Sequence, residues 1–203
     1  MRLIYVRHGR TEWNTAGRFQ GATDIDLDEV GRAQAARMAP LVARARPRII
    51  VSSDLRRAVD TATAVAQLVG VEVQVDQRLR ERGYGPWEGL TRAQIAERYP
   101  AEHAAWLRRE PFCLDGIESP DEVARRGVAA MQDVVGKLGD DDTALVVGHG
   151  GASRQSIAAF LGWATHQVGS LSGLGNCHWA DLRKGQADWF IHGYNISAEP
   201  GQQ

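Results

Sequence analysis

The feature that most constrains this chain is a pair of short hydrophobic runs, each of which breaks off at a histidine flanked by glycine. Leu3–Val6 is followed by Arg7-His8-Gly9, and Ala144–Val147 is followed by Gly148-His149-Gly150. Runs of β-branched and aromatic residues predict buried strands. Ionisable side chains cannot continue a buried strand without a cost in free energy. We therefore expect both histidines at strand ends, and ligands of open α/β sheets bind at the carboxyl ends of the strands.

Strand and helix patterns alternate along the rest of the chain. Strands are predicted at 3–6, 49–51, 71–75, 144–147, 177–182 and 189–192. Helices are predicted at 28–45, at 91–98, 101–109, 120–138 and 150–161, and from the N-cap cluster Ser52-Ser53-Asp54 to about Val69. In the first helix, Val30, Ala33, Met38 and Leu41 are expected to form the apolar face. This order predicts a three-layer α/β/α sandwich around a mostly parallel sheet, with 144–147 central and beside the first strand.

Composition sets the class of protein. The 203 residues suffice for one domain, predicted to span 1–203, and the formal net charge of −1 gives no sign of a nucleic-acid or membrane partner. Cys113 and Cys177 lie far apart, which argues against a disulfide framework. The N-terminus runs directly into a strand without a leader pattern. We expect a cytoplasmic protein.

Arg7 and His8 carry the first chemical hypothesis. A permanent cation beside a neutral imidazole suits attack on a phosphoryl group, with Arg7 holding the anionic oxygens and His8 acting as the nucleophile. The alternative is a surface strand end with an incidental basic pair. The polar segment 9–27, which contains Gly9, Gly17 and Gly21, follows directly, and loops of this length in compact domains are usually functional or disordered.

His149 and Arg57 extend the hypothesis. His149 opens a helix, whose N-terminal N–H groups favour an anion; a protonated His149 would add charge, although the helix dipole lowers the pKa of such a histidine. Alternatively, His149 only caps its own helix. Arg57 follows the second strand and is expected near the same sheet edge as His8, but it could equally be a solvated helix residue.

These elements together resemble the histidine phosphatase (phosphoglycerate mutase-like) superfamily over nearly the whole chain. The matching residues are Arg7-His8-Gly9, Thr11 and Asn14, the Ser53-x-Leu55-x-Arg57-Ala58-x-x-Thr61 element, Glu81 before the Gly83-Tyr84-Gly85 turn, and His149-Gly150. The resemblance implies a catalytic set of His8, Glu81, His149, Arg7 and Arg57. It implies substrate binding by Asn14, Gln20, Gly21 and Gly150.

The mechanism that the resemblance implies has two steps. His8 attacks phosphorus while Glu81 protonates the leaving oxygen, and water then hydrolyses the phosphohistidine with Glu81 as base. Spacing alone would instead pair Glu81 with Arg80 or Arg82 on the surface. His8 needs its other ring nitrogen bonded to a backbone carbonyl, which fixes the attacking tautomer.

No metal or cofactor is expected, because arginines and histidines supply the positive charge. His103, His166, His178 and His192 show no ligand spacing and are expected to be structural or exposed. Of the six tryptophans, Trp13 and Trp87 lie in loops beside predicted site residues and are the two candidates for substrate contact.

The family includes mutases, phosphatases and non-catalytic binding proteins. Gly83 stands where phosphoglycerate mutases have a histidine, and Gly89-Leu90-Thr91-Arg92 replaces their Gly-Leu-Asn-Lys run, which argues against a mutase. The complete set of site residues argues against a non-catalytic phospholigand-binding protein. Similarity to the glucosyl-3-phosphoglycerate phosphatases within the family lies in Val51–Ala58, Trp87–Thr91, Leu171–Asn176 and Tyr194–Ala198. A small phosphate ester is the expected substrate, and a homodimer is possible by analogy with relatives.

Overall fold

A computed structural model describes residues 1–198, apart from the side chains of Thr165 and His166. The expected single domain includes 199–203, which lie outside the described residues. The strands are β1 (Arg2–Arg7), β2 (Ile49–Ser52), β3 (Val73–Val75), β4 (Thr143–Gly148), β5 (Trp179–Lys184) and β6 (Trp189–Ile196). The α-helices are α1 (Glu12–Thr15), α2 (Glu29–Ala43), α3 (Arg56–Val69), α4 (Arg92–Arg98), α5 (Pro100–Arg108), α6 (Pro120–Val135) and α7 (Gly150–Phe160). Short 3₁₀ turns lie at Gln77–Leu79, Gly85–Trp87 and Thr165–Ser170.

All six strands form one sheet in the order β3-β2-β4-β1-β5-β6. The first four are mutually parallel, whereas β5 and β6 are antiparallel to their neighbours. The predicted mostly parallel sheet and the central position of β4 beside β1 are confirmed. In the β1–β4 register, Arg7 lies opposite Gly148, so His8 and His149 leave the sheet side by side.

Helices cover both faces of the sheet, which confirms the three-layer architecture. Alternate residues of β1 point to opposite faces: Leu3 and Tyr5 pack in a core with residues of α6 and α7, and Ile4 and Val6 pack in a core with residues of α2 and α3. All four side chains are at most 1% exposed. The strand ends that carry the histidines are therefore fixed between two cores.

Two local predictions were wrong. In α2, Met38 is buried as predicted, together with Gly31, Ala35, Ala39 and Val42, whereas Ala33 is exposed. Val30 and Leu41 are 40% and 36% exposed, because the helix presents a face of small residues to the sheet and the larger side chains lie at its margin.

The N-cap of α3 was also misplaced. Leu55 occupies the cap position and gives no side-chain cap bond, so Ser52-Ser53-Asp54 precedes the helix instead of capping it. The backbone N–H of Arg56 is bound by Asp24, 2.8 Å away, from the loop before α2. A carboxylate distant in sequence thus supplies the cap.

The segment 9–27 is also more ordered than a plain loop. It contains α1, which begins with a capping box between Thr11 and Asn14. The two C-terminal strands lie close to their predicted positions, but β6 continues to Ile196.

Candidate active site

His8 follows β1 directly and is 3% exposed. Its Nδ1 lies 2.6 Å from the carbonyl oxygen of Gly9, which can only accept, so Nδ1 carries the proton and Nε2 has the free lone pair. The hydrogen bond that the sequence analysis required is present. Burial, followed by the charges of Arg7 and Arg57, keeps the pKa of His8 well below its ordinary value. His8 is therefore a neutral imidazole with its nucleophilic nitrogen available.

Arg57 is fully buried and Arg7 is partly buried, and both are held by backbone carbonyls. Nη1 of Arg7 donates to Leu174 O at 2.7 Å. Nη1 and Nη2 of Arg57 donate to Thr23 O and Gly21 O at 2.7 and 2.8 Å. The Nε atom of each arginine is buried and has no partner among the residues that the structure describes. Burial lowers the pKa of Arg57 to about 10, so the side chain is still a cation at neutral pH.

His149 lies beside His8, with ring centroids 5.1 Å apart, and is fully buried. Burial, followed by the positive charge of Arg57 and the proximity of His8, holds its pKa well below the ordinary value. In the free protein this imidazole is therefore neutral. The charged form that the sequence analysis considered would need a bound anion to favour it.

Ser53 is the hydrogen-bond partner of one ring nitrogen of His149. Its Oγ is 2.9 Å from Nε2 of His149 and accepts a long hydrogen bond, 3.4 Å, from the Leu55 N–H. The serine proton can then be donated to Nε2, which places the ring proton on Nδ1. Nδ1 is buried and unpaired within residues 1–198. Neutral His149 therefore keeps one N–H available beside His8.

Glu81 binds the first turn of α7. Its Oε2 accepts the N–H of Gly151 at 2.9 Å, and its Oε1 accepts the N–H groups of Ala152 and Arg82 at 2.7 and 2.8 Å. A carboxylate at a helix N-terminus is stabilised by the helix dipole. This helix starts one residue after His149, so Glu81 is held next to the histidine pair.

The alternative that Glu81 forms a surface ion pair with its neighbours was wrong. Arg80 instead makes two hydrogen bonds to Asp54, at 2.8 and 2.6 Å. Nε of Arg82 donates to the Glu118 carbonyl at 2.6 Å. The carboxylate of Glu81 is therefore bonded to the N-terminus of α7 and not to these guanidinium groups.

Two glycines of α7 allow the charged groups to converge. A Cβ on Gly150 would lie 3.1 Å from Nε of Arg7, and one on Gly151 would lie 2.8 Å from Oε1 of Glu81. Arg7 and Glu81 therefore both contact the helix start that follows His149. Gly150, predicted to bind substrate, provides the space for the approach of Arg7.

The loop after β1 supplies the remaining predicted residues. Oδ1 of Asn14 accepts from the Thr11 N–H and from Nδ2 of Asn176, at 3.1 and 3.3 Å, which leaves its amide nitrogen as the group for a ligand. Gln20 is 8% exposed, and its Oε1 is buried without a partner in the described part of the chain. Gly21, at φ +54°, gives its carbonyl to Arg57, so it holds a cation of the site.

Sequence reasoning missed two residues that organise the site. Glu88 accepts from the N–H groups of Ala22, Thr23 and Tyr84, at 3.0, 3.0 and 3.1 Å, and so fixes the loop whose carbonyls hold Arg57. Asn176 donates to the carbonyl of His8 at 3.0 Å. Both lie in runs that were singled out only for family similarity, and no local pattern marks either as a contact to the site.

The two tryptophan candidates differ. Trp87 is fully buried, stacked on Phe112 with centroids 5.4 Å apart and in edge contact with Phe19 and Trp106, so it packs in an aromatic cluster. Trp13 is half-buried beside Gly89, where a Cβ would be 3.2 Å from its ring. Trp13 remains the candidate for substrate contact.

The other histidines and cysteines lie outside this cluster. His103 stacks on Trp106, Nδ1 of His178 is 2.9 Å from Oδ1 of Asn195, and His192 is exposed, whereas the side chain of His166 lies outside the described residues. Cys113 and Cys177 are both free thiols, as expected. Within residues 1–198, no three His, Cys, Asp or Glu side chains are grouped to hold a metal ion. None of the described helices has the length and apolarity needed to cross a bilayer.

Comparison with known proteins identifies relatives over nearly the whole chain. A family model described as the histidine phosphatase superfamily (branch 1) matches residues 3–197. The glucosyl-3-phosphoglycerate phosphatase of Mycolicibacterium vanbaalenii is 38% identical over 187 residues, covering 89% of this chain and 83% of the relative. A metal-independent phosphoserine phosphatase of Arabidopsis thaliana is 37% identical over 75% of this chain and 65% of its own length.

A solved structure gives the same result. The mycobacterial glucosyl-3-phosphoglycerate phosphatase in complex with VO3 superposes with a TM-score of 0.89 and 37% identity, covering 97% of this chain and 99% of that chain. Family match, fold and the converging histidines and arginines agree. The chain belongs to the histidine phosphatase superfamily and is a phosphatase.

Proposed function

We propose that this protein hydrolyses a phosphate monoester through a phosphohistidine at His8. The observation that carries the proposal is the neutral, backbone-fixed imidazole of His8 beside the guanidinium groups of Arg7 and Arg57. Nε2 attacks phosphorus, the ester P–O bond breaks, and the departing alkoxide takes a proton from Glu81. Water then attacks the phosphoryl group and gives its proton to Glu81 as the P–N bond breaks, which releases inorganic phosphate and restores both side chains.

The positive charge of the site supports this chemistry without a metal ion. A guanidinium about 4 Å from a unit negative charge contributes roughly 4 kcal/mol at an effective dielectric of 20. Arg7 and Arg57 each keep a buried Nε–H for the phosphoryl oxygens, and His149 adds the N–H of Nδ1. These groups are desolvated on folding, so they need little reorganisation when the charge of the transition state develops.

In this proposal Glu81 protonates the leaving group. In the free protein three backbone N–H groups bind its carboxylate. Beside a phosphoryl dianion the carboxyl group would take up the proton that the leaving alkoxide needs. Its position at the start of α7 brings that proton next to the histidine pair.

We propose further that the substrate is a phosphorylated small acid, with glucosyl-3-phosphoglycerate as the first candidate. The relatives act on glucosyl-3-phosphoglycerate and phosphoserine, which are both phosphate esters of a primary alcohol on a three-carbon acid. Arg154 lies one turn into α7 and has a buried Nε without a partner among the residues described. The charges of Arg154 and Glu81 both act on the hydroxyl group of Tyr84. Arg154 is therefore suited to bind the carboxylate of such a substrate.

Phosphohistidine trapping tests the mechanism. Wild-type protein mixed with a phosphorus-labelled substrate and quenched in base should carry an acid-labile, base-stable label. His8→Ala should lose that label and at least about 10⁴-fold in kcat. Phosphate release that continues in His8→Ala, or a label on another residue, contradicts the proposal.

Substrate class is tested by ranking kcat/KM for glucosyl-3-phosphoglycerate, phosphoserine and glycerol 3-phosphate. Glycerol 3-phosphate is the control, since it is also a phosphorylated three-carbon primary alcohol but has no carboxylate. Activity should be unaffected by a chelator. Interconversion of 2- and 3-phosphoglycerate faster than hydrolysis would instead identify a mutase.

A further inference from the structure

The segment that carries Glu81 is held by a pair of charged residues from elsewhere in the chain, Glu118 and Arg126. Arg126 lies on α6 and is bonded to Glu118 through Nε and Nη2, both at 2.8 Å. We refer to this ion pair as the clamp. Its residues are 37 and 45 positions from Glu81, yet their free hydrogen-bonding groups are directed at the backbone around it.

Arg126 binds the backbone immediately before and at Glu81. Nη1 donates to the carbonyls of Arg78 and Arg80 at 2.8 and 2.6 Å, and Nη2 donates to the carbonyl of Glu81 itself at 2.9 Å. One guanidinium thus holds three carbonyls within four residues. A lysine could not reproduce this, because the planar fork of arginine sets the direction of its donors.

Glu118 holds the backbone after Glu81. Its Oε2 accepts the Gly83 N–H at 2.7 Å, and its own N–H donates to Gly83 O at 3.0 Å. Burial alone would raise the pKa of Glu118, but the hydrogen bonds from Arg126 and the Gly83 N–H outweigh it and lower the pKa. The clamp therefore stays ionised at neutral pH and restrains both sides of Glu81.

The clamp is also tied to the helix that receives the Glu81 carboxylate. Gly127, next to Arg126, packs so closely on α7 that a Cβ there would collide with the Ser156 side chain. The backbone of Glu81 is therefore hydrogen-bonded to α6, and its carboxylate is hydrogen-bonded to Gly151 and Ala152 of α7. Two helices in direct contact fix the two ends of the same residue.

We infer that Arg126, with Glu118, is a positioning residue that sets the carboxyl group of Glu81 for proton transfer to the leaving group. The inference rests on the proposed function, in which Glu81 is the proton donor. A positioning role differs from a purely structural one in its dependence on the leaving group. An alkyl phosphate needs the proton, whereas 2,4-dinitrophenyl phosphate, with its stable phenolate, does not.

The experiment compares kcat/KM for an alkyl phosphate and for 2,4-dinitrophenyl phosphate, because this ratio reports phosphoryl transfer and is independent of later phosphohistidine hydrolysis. Arg126→Met should lose about 10- to 100-fold on the alkyl phosphate and less than about 3-fold on the dinitrophenyl ester. Arg126→Lys, which keeps the charge, should show the same selectivity in a milder form. Arg125→Met, the same exchange at the exposed neighbouring position, is the matched control and should match wild type on both.

Glu81→Gln separates the outcomes. If Arg126→Met acts through Glu81, the double variant should be no slower on the alkyl phosphate than Glu81→Gln alone. Equal losses on both esters, or additive losses in the double variant, overturn the positioning role. If Glu81→Gln itself shows no selectivity between the esters, the proposed proton donor fails and the clamp inference falls with it. If Arg126→Met does not fold, Glu118→Gln is measured in its place with the same criteria.

Discussion

The two halves of the site are built differently. The proposed phosphate pocket consists of Arg7, His8, Arg57 and His149, which lie at the ends of three neighbouring parallel strands or in the helix that follows. The donor side, represented by Glu81, lies in an irregular segment between a 3₁₀ turn and a buried aromatic cluster. The pocket takes its geometry from the sheet, whereas the donor side takes it from individual ion pairs.

This difference shows where precision has to be supplied by side chains. Register with β4 places Arg7 beside Gly148, so strand pairing alone brings the two histidines together. Residues 80–83 are not part of a β-strand. The clamp provides the hydrogen-bond partners for their backbone that a neighbouring strand would provide in a sheet. We expect the donor side to be more sensitive to distant side chains than the pocket, whose outside support comes mainly from Glu88 and Asn176.

The largest effect should come from the pocket and should be independent of the leaving group. Arg57→Met removes a buried cation and should lower kcat/KM by about 10³-fold on alkyl and aryl phosphates alike. Arg56→Met is the matched control; this exposed neighbour pairs with Asp24 and should remain within about 3-fold of wild type. A loss confined to alkyl phosphates would place Arg57 on the donor side and break the comparison.

On the donor side, Glu81→Gln should lower kcat/KM about 10²-fold for an alkyl phosphate and less than about 10-fold for p-nitrophenyl phosphate, since the second leaving group needs little protonation. Steady-state rates on both esters with the same protein preparation measure the ratio. Equal loss on the two esters would mean that Glu81 acts on the phosphoryl group and not on its leaving oxygen.

At the outer limit of the donor side, Arg154→Met should raise KM about 10-fold for a phosphorylated three-carbon acid, because one charge-assisted hydrogen bond is worth about 1.5–3 kcal/mol. The same variant should leave KM for glycerol 3-phosphate unchanged. A parallel rise for both substrates would contradict carboxylate recognition by Arg154.

The smallest effect concerns stability in acid. His8 and His149 are uncharged when folded, and in the unfolded chain each binds a proton near pH 6.5. Below that pH the unfolded state binds more protons, so the free energy of unfolding falls with falling pH by up to about 1.4 kcal/mol per unit per histidine. The free energy of unfolding, measured in urea at several pH values, should depend less steeply on pH in His149→Gln than in wild type. His192→Gln, at an exposed position, should not change this pH dependence. Equal slopes would show that His149 is charged in the folded protein.

The sequence was sufficient to predict most of the fold and the convergence of His8, His149, Arg7 and Arg57 at one sheet edge. The hydrophobic runs that end at His8 and His149 located the strand ends. Burial of an ionisable group is costly, so a buried strand stops abruptly where such residues begin. The preference for Arg57 over Arg56 came from family similarity, and the structure agrees in its placement: Arg57 is fully buried, whereas Arg56 is exposed.

The supporting contacts could not be predicted in the same way. Arg126, Glu118 and Glu88 look like ordinary surface charges of helices and loops, and their partners are backbone groups that leave no mark in the sequence. The neutral state of His149 depends on its burial together with two arginines, which only the assembled fold brings about. The face of α2 was misjudged because three of its buried residues are the small Gly31, Ala35 and Ala39, which a search for large apolar side chains overlooks.

The antiparallel hairpin of β5 and β6 carries none of the proposed site residues, but the segment leading into it restrains two of them. Leu174 O holds Arg7 and Asn176 holds the His8 carbonyl, whereas residues 185–188 form an exposed turn closed by one hydrogen bond of 2.8 Å between Gly185 N and Asp188 O. New chain termini are therefore acceptable at one end of this hairpin and harmful at the other. A circular permutant opened within 185–188 should remain an active phosphatase, and one opened at 173–175 should fold around a nucleophile that is no longer held in place.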